Sequence, residues 1–143
     1  MIVWTTGRGK SSAFEKDGQP SAALNDLLNQ NITVVLPDLM GQGEWAGVGQ
    51  KATLPRMVDD KRSYSAFTYG YNRTPSAERC SDLLTVIAAT QVHLIGDDDS
   101  LPIQLLGGEG SASWSVPAAA IAGSSLKHAT PVSYTHLTLP TKA

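Results

Sequence analysis

The sequence predicts an α/β fold, a three-layer sandwich built on a parallel sheet. Three observations carry this expectation. Short apolar runs, Ile2-Val3-Trp4, Ile32-Thr33-Val34-Val35-Leu36 and Ile103-Gln104-Leu105-Leu106, have strand length and composition. Segments with helical spacing follow or separate them. The middle run is apolar on both faces, the pattern of a strand covered on two sides. Strands joined by helical crossovers pair in parallel and connect in a right-handed sense.

Bulk properties set limits on function. At 143 residues the chain has the length of one domain with one core. Its formal net charge of -2 makes no electrostatic case for nucleic acid or an anionic membrane surface. No apolar run approaches the ~18 residues of a membrane span, and no basic-then-apolar leader follows Met1. Cys80 is the only cysteine, so no internal disulfide forms. No cofactor is expected.

The first strand, Ile2 to Trp4 and on to Thr5, runs into a polar loop from Thr6 to Pro20 with a turn at Asp17-Gly18. A short helix is expected from Ser21 to Gln30, with Leu24, Leu27 and Leu28 on one face and Asn31 closing it in the left-handed conformation. The second strand ends at Pro37-Asp38 and a Gly41-Gln42-Gly43 turn. From Trp45 to Thr74 the periodicity fades into a loop that contains Phe67, Tyr69 and Tyr71. Thr74 then caps a second helix, with Pro75 at its first position and Glu78 in its first turn. Cys80, Leu83, Leu84, Ile87 and Ala88 fall on one apolar face of that helix. Val92 to Ile95 extends the helix or makes a short extended piece, and Asp97, Asp98 and Asp99 lie in a solvated loop. The third strand is followed by a small-residue helix that ends near Gly123, capped by Ser113 or Ser115.

The loop Thr6-Gly7-Arg8-Gly9-Lys10-Ser11 ends like a phosphate-binding loop. That motif needs a glycine five residues before Gly9 and a helix starting at the Lys-Ser pair. Position 4 is Trp4, and Asp17-Gly18 and Pro20 soon interrupt any helix. The cradle is therefore incomplete, and a glycine loop at a strand end is the plainer reading.

Three segments together resemble the α/β-hydrolase fold: IVWTTGRGK, NITVVLPDLMGQGEW and IQLLGGEGSASW. The blocks DGQPSAALNDLLNQNITVVLPDLMGQGE and YSAFTYGYNRTPSAERCSDLLTVIA are similar to acetyl-xylan-esterase-like members of that superfamily. The resemblance covers about Ile2 to Thr130 and implies an incomplete α/β-hydrolase domain over residues 1–130. It implies a carboxylic-ester hydrolase acting on an acetylated carbohydrate or another small ester, with backbone donors at Thr6, Gly7 and Gly110 facing the ester oxygen.

The strand-to-helix turn departs from the family's Gly-x-Ser-x-Gly pattern. Counting from Leu106, Gly107-Gly108-Glu109-Gly110-Ser111 puts Glu109 in the nucleophile position. The shifted register, Glu109-Gly110-Ser111-Ala112-Ser113, puts Ser111 there but sets a bulky Glu109 where a small residue is required. The first register is preferred, and it implies a domain that kept the fold and lost the serine. In family order the acid and the histidine come later, so His93 and His128 are not the family's histidine. Asp38 is expected to cap a turn. Two other functions stay open: a non-catalytic domain with a scaffold or binding role, and a dinucleotide-binding domain that reads Gly108-Glu109-Gly110-Ser111-Ala112-Ser113 as its fingerprint.

The last segment, residues 131–143, follows no strand or helix logic. Val132 to Thr141 resembles the translation of a transposon-library sequencing adapter, GTC TCT TAT ACA CAT CTG ACG CTG CCG ACG. This segment is expected to be non-native, the natural chain continuing past Thr130. Tyr134 and His136 are accordingly set aside.

Overall fold

The computed structural model describes residues 1–43, 73–95 and 102–131. Four strands form one sheet: β1 (Ile2–Thr5), β2 (Val34–Val35), β3 (Gln104–Gly107) and β4 (His128–Pro131). Their order is β2-β1-β3-β4 and every pairing is parallel. Helix α1 (Ala22–Asn29) lies between β1 and β2 in sequence, α2 (Pro75–Thr90) precedes β3, and α3 (Ala112–Ala122) links β3 to β4.

The chain steps one way from β1 to β2, then crosses back past β1 to reach β3. Right-handed connections therefore put α1 on one face of the sheet and α2 and α3 on the other. Burial follows that division. Val3 and Leu105 form one apolar cluster with Cys80, Leu83 and Ile87 of α2 and Trp114 and Ala118 of α3. Leu24 of α1 is buried outside that cluster. The result is the three-layer α/β architecture that the strand and helix order predicts.

Helices α1 and α2 both begin at a side-chain cap. Ser21 Oγ accepts from the Leu24 N–H at 3.4 Å, and Asn31 closes α1 with φ 56°. The face of α1 is narrower than its leucines suggest, because Leu24 is buried while Leu28 is 46% exposed. Thr74 Oγ1 accepts from the Ala77 N–H at 3.2 Å, and Pro75 opens α2. The buried stripe of α2 is Cys80, Leu83, Ile87 and Thr90, so Thr90 takes the place expected for Ala88, which is exposed. Gln91–Ile95 continues α2 as a π-helical turn and leaves Val92 and Leu94 facing out.

Several details differ from the sequence expectation, among them the third strand, which runs Gln104–Gly107 and not from Ile103. The second strand shrinks to Val34–Val35 because the Ile32 N–H bonds to the Leu27 carbonyl at 3.1 Å, tying it to the end of α1. Helix α3 begins at Ala112 after Ser111, earlier than a cap at Ser113 or Ser115 would allow. Pro117 therefore sits inside the helix, where it has no N–H for the carbonyl four residues earlier. The loop from Thr6 to Pro20 also has structure of its own, a 3-10 turn at Lys10–Ala13 and a bridge between Phe14 and Pro20 around Gly18. Trp45, Phe67, Tyr69, Tyr71, Asp97, Asp98, Asp99, Tyr134 and His136 lie outside the described residues.

The carboxyl edge of the sheet is held by a polar knot. Asp38 accepts the Lys10 N–H at 2.7 Å through Oδ1, and its Oδ2 lies 3.1 Å from Lys10 Nζ. Gly9 and Gly43 press against this carboxylate so closely that a Cβ on either would strike it, and both have positive φ, 78° and 54°. Gln42, 3% exposed, donates Nε2 to the carbonyls of Thr6 at 2.8 Å and Gly7 at 3.1 Å. Its Oε1 accepts the Leu39 N–H at 3.0 Å. Nearby, Arg79 Nε donates to the Met40 carbonyl at 2.9 Å, and its guanidinium lies 4.7 Å from the Trp114 ring centroid. Burial lowers the Arg79 pKa below its ordinary value, and the charge of Asp82 opposes that shift.

Two stability changes follow from this packing. Leu83→Ala removes a fully buried side chain from the cluster and should cost about 2–5 kcal/mol in urea melts. Gly43→Ala should destabilise more than Gly18→Ala. Both positions have positive φ, 54° and 81°, but only Gly43 faces the Asp38 carboxylate, whereas nothing lies within 4 Å of a Cβ at Gly18. Equal melting shifts for the two variants would remove the knot from the account of this edge.

Candidate functional site at the carboxyl edge of the sheet

Adjacent strands β1 and β3 send their chains to opposite faces of the sheet. A crevice opens outside their carboxyl ends, the position where open α/β sheets bind ligands. It encloses a cavity of about 350 Å³. Trp4, Thr6, Ser12 and Phe14 line it from the β1 side, and Gly108 and Glu109 from the β3 side, with Arg8 at the mouth.

The residues singled out in the sequence, Thr6, Gly7, Glu109, Gly110 and Ser111, come together on this rim. Strand pairing continues past the strands themselves. The Gly108 N–H donates to the Thr5 carbonyl at 2.7 Å, and the Gly7 N–H donates to the Glu109 carbonyl at 2.7 Å. A Cβ on Gly7 would lie 2.9 Å from that carbonyl oxygen, which is why glycine is required there. The amide of Gly7 is thus engaged by the turn it faces. Thr6 is 7% exposed, and its hydroxyl donates to the Gly9 carbonyl at 2.9 Å. That bond closes the loop onto itself.

Between β3 and α3 the turn runs Gly108-Glu109-Gly110-Ser111. Gly110 takes φ 73°, a backbone conformation that favours glycine. Gly107 sits where the strand meets the helix, since a Cβ there would lie 2.7 Å from Ser115 Oγ and 3.1 Å from Ser111 Oγ. The small-residue contact across the turn is therefore between positions 107 and 111, with Glu109 at the tip. Its side chain is 70% exposed, 3.6 Å from the equally open guanidinium of Arg8. A pair that exposed and that long contributes little stability. Ser111 turns the other way. It is fully buried, and its Oγ donates to the Gly108 carbonyl at 2.7 Å.

The remaining candidates lie elsewhere. Asp38 anchors the β1 loop through Lys10 rather than capping its own turn. His93 is exposed on the π-helical turn after α2, and His128 is exposed at the start of β4. Sequence reasoning passed over Gln42, Trp4 and Phe14. The glycines flanking Gln42 were the available sign that its backbone packs closely. The Trp4 indole N–H is buried beside the crevice without an acceptor.

A second hollow of about 370 Å³ is lined by Asp38, Met40, Glu78 and Asp82. Asp38 is held there by Lys10, and Asp82 accepts the Met40 N–H at 2.8 Å. Among the described residues no group of three or more His, Cys, Asp or Glu side chains is placed to hold a metal ion, and no helix is long and apolar enough to cross a membrane. Comparison of the chain with family models, with curated proteins and with solved structures finds no match.

Proposed function

We propose that this chain is part of a hydrolase-like domain, related to carboxylic-ester hydrolases of acetylated carbohydrates, whose crevice binds a small ligand without cleaving it. The observation that carries the proposal is the division of roles at the turn. An exposed carboxylate, Glu109, occupies the tip, while the one nearby hydroxyl with a claim to be a nucleophile, Ser111 Oγ, is buried and bonded to the Gly108 carbonyl. A serine nucleophile must reach substrate and be deprotonated by an adjacent base. No histidine of the described residues stands near Ser111, since His93 and His128 lie on the π-helical turn and on β4.

The strand order supports this reading, because it places the β1 loop beside the turn after β3, as an ester-hydrolysing arrangement requires. Dinucleotide binding is the runner-up. Gly108 and Gly110 at the reversal point and the helix that follows favour it. The Glu109 carboxylate weighs against it, because it puts negative charge where a pyrophosphate would sit.

The chain should release no acetate from p-nitrophenyl acetate or acetylated xylo-oligosaccharides above the buffer rate. Ser111→Ala should leave that background unchanged while lowering stability by about 1 kcal/mol, the worth of one buried hydrogen bond. Turnover in the wild-type chain that disappears in Ser111→Ala would overturn the proposal.

A further inference from the structure

The bonds of Gln42 determine which way the β1 loop presents its amides. The buried Nε2 of Gln42 holds two consecutive carbonyls, those of Thr6 and Gly7, at 2.8 and 3.1 Å. In a trans peptide the C=O and the next N–H point in opposite directions, and no cis bond occurs among the described residues. Pulling both carbonyls toward Gln42 therefore turns the N–H groups of Gly7 and Arg8 away from it. The two amides then differ in what they meet. That of Gly7 bonds the Glu109 carbonyl at 2.7 Å, a strong bond between backbone groups. That of Arg8 makes a longer bond, 3.3 Å to Thr6 Oγ1, an oxygen that also lies 2.9 Å from the Gly9 carbonyl and 2.6 Å from Ser12 Oγ. Thr6 and Arg8 both line the cavity.

We infer that the Arg8 N–H, not that of Gly7, is the backbone donor this crevice offers to a ligand, that the ligand group is a carbonyl or carboxylate oxygen, and that Gln42 is the positioning residue that aims the donor. The resemblance read from the sequence implies donors at Thr6, Gly7 and Gly110 instead. The inference rests on reading the crevice as a binding site. The guanidinium of the same residue stands at the mouth, loosely paired with Glu109 at 3.6 Å, and has N–H groups to spare for a second oxygen. A carboxylate is therefore bound more tightly than a neutral carbonyl, while both use the amide.

The test is amide NMR on the whole chain, titrated with acetate and separately with acetamide, against sodium chloride at matched ionic strength. Both probes should move the Arg8 amide resonance several-fold more than that of Gly7, acetate at lower concentration than acetamide. Arg8→Gln keeps the N–H and removes the guanidinium, so it should retain the acetamide response and lose the preference for acetate. Gln42→Met, similar in length but without the donor, should abolish the response while the amides of Val3 and Leu105 stay at their wild-type positions. The inference falls if neither probe moves Arg8, if Gly7 moves as far, or if Arg8→Gln loses the acetamide response. It falls too if Gln42→Met still responds, and a Gln42→Met chain that unfolds makes Gln42 a residue of the fold rather than of the site. Serine-dependent ester turnover would sink the non-catalytic reading and leave this titration to be judged on its own result.

Discussion

The crevice depends on one buried carboxylate. Asp38 has 8% of its side chain exposed and receives both the backbone N–H and the ammonium of Lys10 from a loop far away in sequence. A carboxylate this buried is costly unless its oxygens are matched. Matching them forces the β1 loop to fold back onto the loop after β2. That approach leaves no room for a side chain at Gly9 or Gly43. It also brings Gln42 within reach of the Thr6 and Gly7 carbonyls. The glycines, the glutamine and the lysine are thus separate consequences of holding one charge away from water.

Much of the architecture was legible because it is local. Helix α2 announces itself through Thr74, Pro75 and an apolar stripe, and α1 through Ser21 and Asn31. Caps and periodicity act over a few residues, and the sequence shows them directly. The misjudged details all depend on partners distant in sequence. Thr90 replaces Ala88 in the buried stripe because the sheet and α3 determine which side of α2 is covered. Ile32 leaves the second strand because the end of α1 claims its N–H. Pro117 looked like a reason to start α3 late. Instead the contact of Gly107 with Ser111 and Ser115 brings the start of that helix against the strand, and the proline is accommodated inside it.

The candidate site was legible in part for the same reason. Glycine-rich turns at strand ends identify the rim, and Gly7 and Glu109 do meet there. What one-dimensional spacing cannot show is which groups on that rim have spare bonding capacity. Gly7 was the natural choice for a donor because it follows the strand and bears no side chain. Its lack of a side chain instead admits the Glu109 carbonyl, which then occupies its N–H. Gln42 went unremarked because its importance lies in bonds that span 35 and 36 residues.

The turn after β3 shows how packing alone can keep the backbone that ester cleavage would use. A nucleophile at that position needs strain in the backbone, a small residue behind it and a base in front. The small residue and the unusual backbone are both present, at Gly107 and Gly110. They also serve the packing of α3 on β3, so they persist whether or not a reaction takes place. The base and the reachable hydroxyl serve only the reaction. At the tip is Glu109, whose charge would repel the hydroxide or alkoxide that ester cleavage requires, and the Arg8 guanidinium 3.6 Å away offsets part of that charge. A carboxylate facing a guanidinium across a crevice suits reversible binding, because each charge keeps the other partly neutralised while the crevice is empty and neither is consumed when a ligand enters.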